Sequence, residues 1–177
     1  LMRDKRFSFN QFETIKKNYY YNKHISTPLH LACESGCADV VDYILSKKKL
    51  GKIQSSLVNC FSQRPIDCAI QNGSIECVKL LVEKGKVNLF VHNRRHIPLV
   101  DAAAAGYTDI VSYIIKQKNV ELNAADSKKV NAFTAAIIND HFNVVKILIE
   151  NGVADEYSDY ELSEAFVKAC QLNNMKM

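Results

Sequence analysis

The amino-acid sequence predicts an all-α solenoid of paired antiparallel helices with short β-hairpin or loop connections. Two observations carry this expectation. A skeleton of proline, alanine and glycine returns down the chain: Pro28 leads to Ala32 and Gly36, Pro65 to Ala69 and Gly73, and Pro98 to Ala102 and Gly106. Ala132 then leads to Ala136 with Asp140 in the glycine place, and Ala165 to Ala169 with Asn173. The leading residues stand 37, 33, 34 and 33 residues apart, a period that marks stacked supersecondary units. The second observation is an apolar block after each glycine place, in phase with the first pattern. Val40, Val41, Tyr43, Ile44 and Leu45 form it in the first unit, and Cys77, Val78, Leu80, Leu81 and Val82 in the second. Ile110, Val111, Tyr113, Ile114 and Ile115 follow in the third, and Val144, Val145, Ile147, Leu148 and Ile149 in the fourth.

Residues 1–24 lie outside this frame. Phe7, Phe9, Phe12 and Ile15 alternate with polar residues, as in a short helix against the first unit. A terminal cap and the degenerate second helix of a preceding repeat are both consistent with that pattern. The repeat domain is placed at 25–177, with units near 22–58, 59–91, 92–125 and 126–158 and a partial one at 159–177. Proline suits the opening of a first helix, because it lacks only an N–H that had no helical partner. Ser26 and Thr27 stand near the N-cap, where a hydroxyl accepts from the exposed amides. Ala32, Ala69, Ala102 and Ala136 are small enough to let helices approach closely. Gly36, Gly73 and Gly106 permit the left-handed residue that ends a helix. Asp140 and Asn173 are the next most tolerant types there. The second helices are apolar over so much of their circumference that they are expected to be buried on more than one side. A neighbour on each flank supplies that burial, which one unit alone lacks.

Thr27-Pro28-Leu29-His30 followed by Ala32, on a period near 33, resembles the ankyrin repeat. The resemblance covers roughly residues 22–177 and implies about four complete repeats and a partial fifth. It departs from the family at two places in each later unit. Arg64, Ile97 and Asn131 replace the threonine, and Asp67, Val100 and Thr134 replace the histidine. In the family those two residues tie the loops of adjacent repeats, so their replacement implies later units that are less firmly held. His141 stands where the family usually has a histidine after the glycine, which implies a structural role.

The chain has 177 residues, 23 basic and 19 acidic, for a net charge of +4. Lys47, Lys48, Lys49 and Lys52 cluster after the first unit, His92, Arg94, Arg95 and His96 in the third hairpin. The C-terminal end is acidic through Glu150, Asp155, Glu156, Asp159, Glu161 and Glu164. No apolar run reaches membrane-spanning length and no signal-peptide pattern opens the chain. It opens on Leu1, and its fifth unit stops at Met177 before a second helix, so the segment reads as part of a longer array. Cys33, Cys37, Cys60, Cys68, Cys77 and Cys170 are read as a set of small core residues. His30, Cys33 and Cys37 lack the paired spacing of a zinc site, so no metal is expected. Abundant free thiols fit an intracellular compartment, most simply the cytoplasm.

Catalytic motifs are missing: no GxxxxGK[ST], GxGxxG after a strand, GxSxG or HExxH occurs. Neither a catalytic residue nor a cofactor is therefore assigned. The family resemblance implies a protein–protein interaction module, monomeric as an isolated domain, or a regulatory domain of a larger enzyme, effector or channel. Binding of nucleic acid through the lysine and arginine loops is disfavoured, because the basic groups are scattered and not interleaved with stacking aromatics. By the same implication a partner docks on the hairpin tips and the exposed side of the first helices. Those positions hold Lys23 and His24 in the first unit, Phe61, Gln63 and Gln71 in the second, and Asn93, Arg94 and His96 in the third. Lys128 and Tyr160 represent the fourth and fifth. Phe61, Arg94 and Tyr160 are the expected anchors, since aromatic and arginine side chains carry binding energy disproportionately.

Overall fold

A computed structural model describes residues 26–47, 51, 55–89, 95–118, 120–153, 158–160, 163 and 167. The expectations for residues 1–24, and for most of the fifth unit, lie outside them. Among the described residues the chain folds into eight helices in four antiparallel pairs. Helices α1 (Pro28–Glu34) and α2 (Ala38–Ser46) form the first, α3 (Pro65–Asn72) and α4 (Ile75–Glu83) the second. Helices α5 (Pro98–Ala105) and α6 (Thr108–Ile115) form the third, α7 (Ala132–Ile138) and α8 (Phe142–Glu150) the fourth. The first helices stack in chain order, α1 on α3, α3 on α5 and α5 on α7, and the second helices stack the same way alongside. This is the predicted all-α solenoid. Among the described residues β structure is limited to one isolated antiparallel bridge, between Ala125 and Asn131.

Gly36, Gly73 and Gly106 all have positive φ, and Asp140 takes the same conformation at φ 58°. The turn glycines serve a second purpose, because the next unit fills the space a side chain would need. A Cβ on Gly73 would stand 2.6 Å from the Tyr107 ring, and one on Gly106 2.6 Å from the His141 ring. Each of these rings braces the preceding unit. The Tyr107 hydroxyl donates to the Gln71 carbonyl at 3.3 Å, and His141 Nε2 lies 2.9 Å from the Ala104 carbonyl. Asn72 Nδ2 does the same work on the Glu34 carbonyl at 2.8 Å, and its Oδ1 would crowd a Cβ on Gly36.

The core is one continuous cluster running through all four pairs. Leu29, Ile66, Ile70, Leu81, Ile110, Ile114, Ile137 and Leu148 are among its largest fully buried side chains. Burial of the second helices is less complete than their composition implies. Val41, Ile44 and Leu45 are buried on α2, but Val40 and Tyr43 are exposed, as are Phe142 and Ile149 on α8. These exposed residues lie on the two outermost second helices of the described array, each with a single described second-helix neighbour, whereas Leu80, Val82, Tyr113 and Ile115 of the inner helices α4 and α6 are partly covered.

The capping of the first helices also differs from the sequence expectation. In α1, His30 Nε2 lies 2.9 Å from the Gln63 carbonyl, so that nitrogen carries the proton. Nδ1 then accepts from Thr27, whose backbone N and Oγ1 lie at 3.2 and 2.8 Å. The same two jobs are done in α3 by a different pair. Asp67 accepts from the Arg64 backbone N at 2.7 Å and from its guanidinium at 2.8 and 3.1 Å. Arg64 Nη1 reaches forward to the Asn88 carbonyl at 3.1 Å. In α7, Asn131 Oδ1 accepts from the Thr134 N at 2.8 Å. Unit two has therefore replaced both the cap and the forward tie, and unit four has replaced the cap. Unit three has not: Ile97 makes no side-chain cap, and both it and Val100 are buried as apolar residues instead.

Candidate functional site

Two hairpin turns share one construction. Asn59 and Asp126 each stand six residues before the first residue of α3 and α7. Asn59 Oδ1 accepts from the Phe61 and Gln63 amides at 2.9 and 3.0 Å. Asp126 Oδ1 accepts from the Lys128 and Val130 amides at 2.8 and 2.9 Å. The Ser62 and Lys129 amides donate back to the Asn59 and Asp126 carbonyls, each at 3.0 Å, and both residues have positive φ. The Asn59 and Asp126 amides close the turns on the Gln63 and Val130 carbonyls. Asx side chains favour such local bonds and leave the tip residues pointing away from the fold. Phe61 and Lys128 occupy the same place on the two turns.

The predicted contact residues divide accordingly. Phe61 is 69% exposed and Tyr160 75% exposed, while Lys128 and Gln71 also face solvent. Gln63 is only 9% exposed, because its amide is committed internally: Asn59 Nδ2 donates to its Oε1 at 3.0 Å and its Nε2 donates to Gln71 Oε1 at 2.7 Å. It braces the hairpin against α3 and offers little surface. His96 is partly buried, with Nδ1 3.4 Å from Asp101 Oδ2. Lys23, His24, Asn93 and Arg94 lie outside the described residues. The exposed ends of the first helices add Glu34 and Ser35, Asn72, Ala105 and Asn139 to the same side of the array. Lys129 is an exposed tip residue that sequence reasoning passed over. The Asx residue six places before α3 and before α7 is the signal that could have found it.

Titratable groups are unevenly placed. Burial lowers the His30 pKa from its ordinary value, with the Gln63 carbonyl and the Glu34 and Asp67 charges opposing. Asp101 is pushed up to about 6, first by burial, with the His96 contact opposing and the Asp67 charge assisting. Its Oδ2 is buried without a hydrogen bond among the described residues. Burial also raises the Cys33 and Cys77 thiols and pushes Cys68 up to about 12. The cysteines are not one core set. Cys33, Cys68 and Cys77 are buried, but Cys37 is exposed beside a helix turn and Cys60 on the second hairpin. Among the described residues no group of three or more His, Cys, Asp and Glu side chains converges as a metal site would require. Nor is any described helix long and apolar enough to cross a membrane.

Comparison with known proteins agrees with this architecture. The family model described as ankyrin repeats (3 copies) matches residues 7–93 and 86–160. The chain belongs to the ankyrin-repeat family. It is similar to alpha-latrocrustotoxin-Lt1a of Latrodectus tredecimguttatus, 30% identical over 118 residues, which are 64% of this chain and 8% of that protein. It is also similar to the ankyrin repeat and KH domain-containing protein mask-1 of Caenorhabditis elegans. There it is 27% identical over 152 residues, 85% of this chain and 5% of that protein. The chain thus spans less than a tenth of either relative's length. Ankyrin repeats are in general protein–protein interaction modules and are typically non-catalytic.

Proposed function

We propose that this chain is a recognition module that holds a protein partner across its hairpin tips and the exposed ends of its first helices. One observation carries the reading: tips built on internally bonded turns present Phe61 and Lys128 to solvent from equivalent places on a braced stack. A surface that does not reorganise on binding loses less conformational entropy in the complex. Lys23, His24, Asn93, Arg94, His96, Gln71 and Tyr160 extend the proposed face by their place in the repeat frame. Gln63 serves it from beneath. The small share of each relative's length that is matched favours a second reading at a higher level, in which this module is the regulatory or recognition arm of a larger enzyme, effector or channel. The buried free thiols support a reducing, cytoplasmic setting, and the isolated segment is proposed to be monomeric.

The test compares two faces of one molecule. A protein partner is identified by cross-linking and mass spectrometry, and its affinity is then measured against variants. Charge reversal of Arg94 with Arg95 is expected to weaken it with helicity unchanged. Reversal of Lys79 or Lys146, both exposed on second helices, is expected to do little. Equal losses from both sets would refute the assignment of the face. A slope of log affinity against log salt near −0.9 per neutralised phosphate, with duplex DNA as the ligand, would move the function to nucleic acid.

A further inference from the structure

The two matched turns carry different chemistry at the same place, and that difference defines a ligand. The tip of the second hairpin is Cys60-Phe61-Ser62 and that of the fourth is Ser127-Lys128-Lys129. Phe61, Lys128 and Lys129 are all exposed. The turn beneath Phe61 is closed by hydrogen bonds of Asn59, Gln63 and Gln71, and the residue above it stands 69% exposed. An aromatic ring held out on a rigid support is the kind of residue that anchors a partner. The exposed ends of the first helices between the two tips hold Gln71 and Asn72 in the second unit, Ala105 in the third, and Asn139 beside Asp140 in the fourth. The intervening hairpin adds Arg94 and Arg95 in its sequence. The second hairpin therefore carries an apolar tip and the fourth a dibasic one.

We infer that the ligand is an extended acidic peptide segment with one large apolar residue that packs on Phe61 and a cluster of carboxylates that meets Lys128 and Lys129. This inference rests on the recognition-module reading above and gives that module its partner class. The spacing follows from the stack. Packed helices lie about 8–10 Å apart, so tips two units apart are separated by about 20 Å. An extended chain rising about 3.3 Å per residue covers that distance in about six residues. Charge complementarity sets the sign at one end and steers the approach. The apolar contact sets the register at the other. A membrane surface or a nucleic acid would use the lysines but has no need of a single aromatic residue two units away.

The 177-residue chain is used to select binders from a display library of random dodecapeptides. Selected peptides are then synthesised with a fluorophore and titrated by anisotropy. Enrichment of an apolar residue spaced five to seven places from two or more carboxylates is the expected result. Phe61→Ser and the pair Lys128→Glu with Lys129→Glu should each weaken such peptides at least about tenfold. Peptides with their carboxylates changed to lysine should regain binding to the charge-reversed pair but not to Phe61→Ser. All three substitutions are at exposed tips, and unchanged circular dichroism confirms that the variants fold. Selected peptides that lack the signature, or that bind the variants as well as the parent, overturn the acidic-peptide inference and leave the recognition-module reading standing. Tighter binding to a ten-nucleotide single strand, or to phosphatidylserine vesicles, than to every selected peptide overturns both.

Discussion

At the scale of single residues the polar groups inside the stack give the molecule its response to pH. Asp101, raised to about 6, binds its proton more tightly in the folded chain than in the unfolded one. Its contribution to stability is therefore favourable at low pH and is lost as pH rises from about 4 to 6. His30 acts in the opposite sense. Its pKa is lowered by burial, so the unfolded chain takes up that proton first and stability falls as pH drops below about 6.5. Asp101→Asn should remove the first effect and leave the second. Urea unfolding from pH 4.5 to 7.5 is expected to show the variant gaining on the parent as pH rises through 6. A carboxyl titration of Asp101 with its midpoint near 4 would contradict this. The thiols provide a second residue-scale prediction. Reaction with an aromatic disulfide reagent under native conditions should modify Cys37 and Cys60 quickly, while Cys33, Cys68 and Cys77 wait for local opening. Fast labelling of all five would show that the buried thiols are not enclosed.

At the scale of elements, what holds a unit is its cap and its brace. The Arg64–Asp67 pair is buried and hydrogen-bonded, so removing one partner leaves a charge without compensation. Arg64→Ala is expected to lower stability by about 3 kcal/mol in urea titrations. The double change Arg64→Thr with Asp67→His, which rebuilds the arrangement of α1, should restore most of the loss. Gly106→Ala should destabilise by about 1–2 kcal/mol, because it meets both a positive φ and the His141 ring. A loss no greater than that of an exposed helix substitution would sink the double role proposed for that glycine. Helix positions, turn glycines and the Asp140 substitution were legible in the sequence because they follow from backbone sterics and periodicity. The Arg64–Asp67 replacement was not, since nothing in a family pattern says that an arginine and an aspartate three apart can do the work of threonine and histidine. The exposure of Val40 and Tyr43 was equally hidden: composition reports how apolar a helix is, not how many sides its neighbours cover. Phe61, Lys128 and Gln63 were all placed near a hairpin by counting, but only side-chain bonding separates the tip residues from the one beneath them.

For the whole molecule, stability is approximately a sum of unit terms and nearest-neighbour terms. Helices α3 and α5 have stacked partners on both sides and contain the fully buried Ile66, Ala69, Ile70, Ala102 and Ala103. Native-state amide exchange should be slowest across these two helices and faster from Ser158 onward, where Ser158, Asp159 and Tyr160 are exposed. Uniform protection from α1 to the end of the chain would indicate a cooperative array without weak units.

Asn59 and Asp126 each close a hairpin turn from within. Because each turn is closed by its own Asx residue and backbone, the three residues at its tip are not asked to support anything below them. Exchanging Cys60-Phe61-Ser62 for Ser127-Lys128-Lys129, and the reverse, should leave the unfolding midpoint nearly unchanged while reversing the direction in which a bound peptide lies. The array is in that sense a rail with interchangeable fittings: polarity of the ligand is set by which fitting occupies which socket, and can drift without disturbing the rail.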